Sequence, residues 1–332
     1  MWELYCSKVR ELNIPAIFVT VVVVVVTSLY GFVFLLSHSP RKPFSEELTY
    51  ETNGLHGSIV SGQLTSVKDC KDSQDGIELS VVVPSYNEIG RILVMLTDAI
   101  EYLQENMANK WEILIVDDGS RDGTSAFCLD LAQSEFKLQP GQLRVVKLAK
   151  NRGKGGAVRH GMLHIRGAYG LFADADGASN FADVQKLLGS IKKYQKSGRG
   201  SVAIGSRAHM VNTDAVVKRS FIRNFLMYGL HTLVFIFGIR SIKDTQCGFK
   251  LFDRSAITNI FPFLHTEGWI FDVEILILAL RKQISIEEVA ISWHEVDGSK
   301  MELARDSINM AKDLVVIRLA YIMGIYSDRG EC

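Results

Sequence analysis

Apolar residues along this chain follow two alternating rhythms. Leu79-Ser-Val-Val-Val-Pro84, Glu112-Ile-Leu-Ile-Val116, Arg144-Val-Val-Lys-Leu148 and Tyr169-Gly-Leu-Phe-Ala173 are short, β-branched and continuous, the pattern of buried strands. Between them, apolar positions recur every three or four residues. Ile92, Leu93, Leu96, Ile100 and Leu103 predict one helix, a second starts near Asp122 or Thr124, and a third runs from Ala157 to Ile165. Apolar strands that each feed an amphipathic helix are the signature of a parallel sheet covered on both faces. The expected fold class is therefore α/β, with an open, mostly parallel sheet.

The flanks follow other rules. Ile14 to Leu36 carries no charge and includes six consecutive valines. It exceeds the roughly 20 residues that cross a bilayer and the roughly 7–15 of a secretory apolar core. A transmembrane anchor is expected rather than a cleaved signal peptide. Lys8 and Arg10 on one side balance Arg41 and Lys42 on the other, so flanking charge sets no orientation. Pro40 to Gly76 is rich in Ser, Thr, Gly and charge without a clear period, which reads as a juxtamembrane linker. Phe225 to Ile239 is uncharged but short for a span, so it is either a membrane-interface helix or a core helix. Ile308 to Tyr326 places Lys312, Asp313 and Arg318 among apolar residues at helical spacing and predicts an amphipathic helix. The expected organisation is a tail (1–13), an anchor (14–36), a linker (37–76), a catalytic domain (77–300) and a C-terminal amphipathic or interfacial helix (301–332).

Composition narrows the partners. The 332 residues carry 37 basic and 37 acidic side chains, so no net field draws the chain to nucleic acid, and none is expected as a partner. The five cysteines (6, 70, 128, 247 and 332) are dispersed without a C-x-x-C pair, which suggests free thiols in a reducing compartment. Nothing in the sequence sets an oligomeric state, and a homo-oligomer stays open.

The chemistry gathers at the ends of the predicted strands. Asp174 and Asp176, in Leu171-Phe-Ala-Asp-Ala-Asp-Gly177, are two positions apart, so in an extended segment their carboxylates share a side. Two close negative charges favour a hard divalent ion, Mg2+ or Mn2+, although Asp and Gly also form ordinary solvated turns. Arg152 and Lys154 stand beside glycines at a helix start in Asn151-Arg-Gly-Lys-Gly-Gly156, either a phosphate cradle or a flexible turn. Neither G-x-x-x-x-G-K-[ST] nor G-x-G-x-x-G occurs. Asp117 and Asp118 suit hydrogen bonds from a ribose or base. In open α/β sheets, ligands bind at this carboxyl edge.

In order along the chain stand Val81-Val-Val-Pro-Ser-Tyr-Asn-Glu88, Val116-Asp-Asp-Gly-Ser120, Lys150-Asn-Arg-Gly-Lys-Gly-Gly-Ala157, Ala173-Asp-Ala-Asp-Gly-Ala178, Gly205-Ser-Arg-Ala-His209 and Asp244-Thr-Gln-Cys-Gly-Phe-Lys-Leu-Phe252. This series resembles the family-2 inverting glycosyltransferases of the GT-A fold, within them a branch that glucosylates a polyprenyl phosphate. The resemblance runs from about Ile77 to Lys300. It implies UDP-glucose as donor, dolichyl phosphate as acceptor, and a single-pass endoplasmic reticulum protein, lying at the lipid bilayer, whose catalytic domain faces the cytosol. It further implies donor contacts from Pro84, Tyr86, Glu88, Asp117, Asp118, Arg152, Lys154 and Asp174, with metal at Asp174 and Asp176. Asp176, Arg207 and Asp244 are the expected catalytic residues. Arg207 leads the candidates for the acceptor phosphate, followed by Arg219, Arg223 and Lys300, although Arg219 and Arg223 suit a helix surface or lipid headgroups equally well. Cys247 stands where mannosyl relatives carry Ser or Thr. Asp272 and Glu274 head an apolar helix, with one carboxylate expected at the site or both serving as helix-terminal charges. His209 reads as structural, and Trp269 and Trp293 as packing. A sugar-phosphate nucleotidyltransferase, a mannosyltransferase using GDP-mannose, and a membrane-tethered scaffold are the competing readings. Polymerisation is not expected, since a Q-x-x-R-W motif is absent.

Overall fold

The computed structural model describes residues 14–54, 57–69, 75–194, 199–210, 242–298 and 300–328, together with 229, 232 and 239. Most of the expected interface helix at 225–239, as well as Arg219 and Arg223, lies outside these residues.

The core is a nine-stranded sheet: β1 (Thr49–Asn53), β2 (Ile59–Gln63), β3 (Leu79–Ser85), β4 (Trp111–Asp117), β5 (Leu143–Lys147), β6 (Tyr169–Ala173), β7 (Ser201–Ser206), β8 (Phe249–Asp253) and β9 (Ser285–Ala290), in spatial order β2-β1-β5-β4-β3-β6-β8-β7-β9. The middle four strands are parallel, as the alternating rhythm predicts. β8 then runs antiparallel to both β6 and β7, and β9 is parallel to β7. The sheet is therefore mixed rather than mostly parallel. Alternate residues of each central strand serve opposite layers. Leu79, Val81 and Val83 pack in the cluster formed with Ile92, Leu96 and Ile100 of the Ile92–Asn106 helix. Val82 and Val116 face the other way, against Gly161 of the Lys154–Met162 helix. Continuous apolar strands are thus explained, because both of their faces are covered.

Two expectations are corrected. The stretch read as a linker contributes the antiparallel hairpin β1–β2, which pairs with β5 and extends the sheet. Its alternation is too short and polar to stand out, and the pairing is made by a distant strand. Gly155 and Gly156 lie inside the Lys154–Met162 helix rather than before it.

The chain divides into two compact units, Ser39–Leu314, which holds the sheet, and Met1–His38 with Val315–Cys332. In the second unit the Ile14–Leu36 helix is the one helix among the described residues long and apolar enough to cross a membrane, with mean hydropathy 2.6 and 6% of its apolar window buried. There, His38 donates its backbone N–H to the Tyr326 hydroxyl at 2.6 Å. The predicted amphipathic helix is present as Leu303–Ile322.

Candidate active site

Strand register brings the motifs to one edge. Ser85 pairs with Asp117 and Asp117 with Lys147, so the carboxyl ends of β3, β4 and β5 are level. Ala173 pairs with Phe249, which puts the start of antiparallel β8 beside the end of β6. Ser206 pairs with Ala290, so Arg207 and the residues after β9 reach the same edge. There a cavity of about 590 Å3 opens.

From the expected donor set, Pro84, Tyr86, Glu88, Asp118, Lys154 and Asp174 line this cavity. Asp176, Arg207, Asp244 and Lys300 line it as well. Asp117 and Arg152 are not in its wall. The Asp117 carboxylate closes its own turn, accepting from the Ser120 N–H at 2.8 Å and from the Ser125 hydroxyl. The Arg152 guanidinium is spent on Glu267 (Nε to Oε1, 2.9 Å) and on the Arg41 carbonyl (2.7 Å). Sequence reading aimed Arg152 at phosphate because its neighbours form an anion-friendly helix start; its partners lie 115 and 111 residues away and leave no trace in the local motif.

Asp118 holds the loop that Arg152 leaves. Its two oxygens accept from the Arg152 N–H at 2.6 Å and the Gly153 N–H at 2.8 Å. Burial pushes its carboxyl up to about 7 in spite of those bonds. Gly153 has φ +84, and a Cβ there would meet the Glu267 carbonyl at 2.6 Å, so this turn needs glycine twice over.

The floor is a run of alternating charge. Lys154 Nζ pairs with Asp174 Oδ1 at 2.7 Å. Burial opposes the ammonium, yet Asp174 and Asp272 together raise its pKa. Asp272 lines the cavity and ion-pairs with the fully buried Lys250. Burial raises its pKa. Glu274 turns away to accept from the Thr266 N–H at 2.8 Å and hydroxyl at 2.6 Å. Asp176 accepts from the Ala178 N–H at 3.0 Å and forms no ion pair with any described residue. Arg207 forks onto Asp244, with Nε to Oδ2 at 2.7 Å and Nη2 to Oδ1 at 2.8 Å, while its backbone N–H donates to Oδ2 at 2.9 Å. The guanidinium holds the Asp244 carboxyl below its usual range, although burial alone would raise it.

Three residues were missed or misread in the sequence. Trp269 and Trp293, read as packing, line the cavity, and the Arg207 guanidinium lies 5.3 Å from the Trp293 ring centre. Arg91 also lines it, clamped on Glu88 at 2.7 and 2.8 Å. No sequence signal marks Arg91, whereas the two tryptophans in polar surroundings were a usable hint. His209 is exposed in a short turn and does not line the cavity. The Cys247 thiol is buried and pushed up to about 12, so it is neither a nucleophile nor a ready metal ligand.

Among the described residues no cluster of three or more His, Cys, Asp or Glu side chains closes around one point. A cation held by Asp174 and Asp176 alone would keep positions for phosphate oxygens and water, the habit of Mg2+ at substrate phosphates. The surroundings fit. Gly248 leaves room for the Asp174 carboxylate, since a Cβ there would fall 2.0 Å from Oδ2.

A mixed sheet with paired carboxylates and a phosphate-accessible cavity at its carboxyl edge is the layout of a nucleotide-sugar transferase. The chain belongs to glycosyl transferase family 2, whose family model matches residues 80–261. It is a hexosyltransferase. It is 63% identical to the dolichyl-phosphate beta-glucosyltransferase of Saccharomyces cerevisiae, covering 96% of this chain and 97% of that protein. It is 45% identical to the protein of the same name from Dictyostelium discoideum, covering 96% of both. Among solved structures, glucosyl-3-phosphoglycerate synthase of Mycobacterium tuberculosis superposes with TM-score 0.51 at 17% identity, over 74% of this chain and 80% of that one. This last likeness shows the fold.

Proposed function

We propose that this chain transfers glucose from UDP-glucose to dolichyl phosphate with inversion, giving dolichyl β-D-glucosyl phosphate, a lipid-linked glucose donor for N-glycan precursor assembly. The observation that carries the reading is identity of 63% sustained across nearly the full length of a relative with that named activity. The site supports it. Four cations, Arg91, Lys154, Arg207 and Lys300, face seven carboxylates in the described lining, and three of the four are already paired. Such a wall repels a diphosphate and a phosphate monoester unless positive charge is added. A divalent ion, Mg2+ or Mn2+, held by Asp176 and Asp174 would supply it, stabilising the UDP leaving group.

The chain's own residues do the rest. Asp118, through the Arg152 and Gly153 amides, holds the loop that meets the donor, with Lys154 beside its phosphates. Pro84, Tyr86 and Glu88 shape the wall on the nucleotide side. Arg207, fixed by Asp244, keeps Nη1 without a partner among the described residues and offers it to the acceptor phosphate. Lys300 is the lining cation with no carboxylate partner among the described residues, and joins it. Arg219 and Arg223 are assigned the same task. The acceptor has a second pKa of about 6 and is largely dianionic at neutral pH, so a strong general base is dispensable. Its oxygen attacks the anomeric carbon as the bond to UDP breaks on the opposite face. The Ile14–Leu36 helix anchors the chain in the endoplasmic reticulum membrane, with the catalytic unit in the cytosol.

The test is transfer of radiolabelled sugar to dolichyl phosphate in detergent from UDP-glucose and, in parallel, GDP-mannose, with and without EDTA. Chelator-sensitive glucolipid from UDP-glucose alone is expected. Lipid product from GDP-mannose would overturn the donor, and none from either would return the nucleotidyltransferase reading.

A further inference from the structure

The stretch between the apolar helix and the first strand is wired into the loop assigned to the donor. Glu47 is fully buried, and one carboxylate serves three donors. Its Oε1 accepts from Arg41 Nη2 at 2.6 Å and from the Ala149 N–H at 2.9 Å, while Oε2 accepts from the Phe44 N–H at 2.9 Å. The main chain of the same residue is gripped from behind, since His160 Nε2 donates to the Glu47 carbonyl at 2.8 Å. Ala149 lies in the irregular run after β5 that carries the lining residues Asn151 and Gly153 and leads into the helix whose first residue, Lys154, also lines the cavity. A second tie runs in parallel: Arg152 Nη2 holds the Arg41 carbonyl at 2.7 Å and its guanidinium holds Glu267, next to the lining residues Gly268 and Trp269. The loop is thus pinched between Arg41–Glu47 on one side and Glu267 on the other.

We propose that Glu47 is a positioning residue for the nucleotide-sugar donor, fixing through Ala149 and Arg41 the loop that presents Asn151, Gly153 and Lys154 to the cavity. The proposal rests on the UDP-glucose reading above. Glu47 itself does not line the cavity, so it acts through the loop. The hairpin that follows has its own ties to the rest of the domain. Thr52 Oγ1 donates to the Leu143 carbonyl at 2.7 Å and Asn53 Nδ2 to the Leu138 carbonyl at 2.6 Å, away from the site. A buried carboxylate is costly unless every oxygen is satisfied, and an apolar side chain would suffice for mere packing. What the carboxylate adds is a fixed acceptor for one loop amide.

The test uses the full chain in detergent and compares Glu47→Gln and Arg41→Gln with Thr52→Val as a control that loosens the hairpin alone. Calorimetric UDP affinity, KM for each substrate and Tm are read for every variant. Glu47→Gln is expected to weaken UDP binding and raise KM for UDP-glucose about tenfold, the scale of one lost charge-assisted bond. Arg41→Gln should act in the same direction by about threefold, with KM for dolichyl phosphate unchanged within twofold in both. Thr52→Val should lower Tm and leave UDP affinity alone. UDP affinity within twofold of wild type in Glu47→Gln overturns the proposal, as does an equal weakening by Thr52→Val at matched loss of Tm. Should Glu47→Gln fail to fold, Arg41→Gln decides by the same criterion. A wild-type chain that binds UDP without glucosylating dolichyl phosphate would refute the substrate reading while leaving the UDP comparison decisive for Glu47.

Discussion

Alanine at Gly248 would put a methyl group where Asp174 stands. Its Cβ would fall 2.0 Å from Asp174 Oδ2, 2.3 Å from Cγ and 2.7 Å from Oδ1. Ordinary non-bonded contact begins near 3.5 Å, so the carboxylate must retreat by roughly 1.5 Å. Gly248 is not among the glycines with positive φ, so the backbone accepts alanine and the whole effect is the displaced carboxylate. Asp174 is about a third exposed and can swing into the cavity, which breaks its 2.7 Å pair with Lys154 but spares the core. A displacement of about 1 Å at a reacting centre costs on the order of 100-fold in rate. For Gly248→Ala we expect kcat/KM for UDP-glucose to drop about 100-fold, some 2.7 kcal/mol of transition-state stabilisation. The divalent-ion concentration for half-maximal rate should rise, and Tm should shift by only a few degrees. Gly189→Ala, where nothing lies within 4 Å of the new methyl, is the matched control and should be fully active. Activity of Gly248→Ala within threefold of wild type, at ordinary metal concentration, would refute the placement of Asp174 at the reacting phosphates.

Asp176→Asn removes the one aspartate of the pair that has no ion-pair partner among the described residues, and should abolish most turnover without changing Tm, as read by transfer assay and thermal melt. Arg207→Lys, Asp244→Asn and the double variant should lose kcat by a similar factor of about 10–100, because the forked pair acts as a unit; strictly additive losses would contradict this. Burial, with His164 beside it, pushes the His160 ring down to about 3, against an ordinary value near 6.5. The neutral ring therefore stabilises the fold fully above pH 6.5, and that contribution is lost as pH falls towards 3, by about 2 kcal/mol at pH 5. His160→Gln should accordingly melt less steeply with acid than wild type between pH 7.5 and 5, and an unchanged slope would count against a buried neutral ring.

Local order carried much of the architecture. β6 runs over Tyr169–Ala173 as its apolar run predicts, and the helices after β3 and β4 begin at Ile92 and Thr124, where periodicity and turn residues place them. Such features are legible because strand and helix rhythms are written in neighbouring residues. Asp174 and Asp176 were legible as positions for the same reason, since they directly follow the β6 run, although the strand ends at Ala173 and the chain turns at Ala175–Asp176 instead of staying extended. The hairpin at Thr49–Gln63 was not, since its residues become a sheet edge only by pairing with β5, about 90 residues on.

Within the site, the sequence determined which residue types are present: carboxylates at the ends of β4 and β6, a glycine-flanked Lys154, an arginine after β7. Only the tertiary structure decided which of them face the substrates. Asp118 lines the cavity and Asp117 does not; Lys154 does and Arg152 does not. For Arg152 the choice is made by partners distant in the chain, Glu267 and Arg41, whereas Asp117 is taken up by Ser120 and Ser125 of the turn it closes. A charged side chain must satisfy its charge wherever the fold offers an opposite one, and that offer is a property of register and packing, which no local motif records.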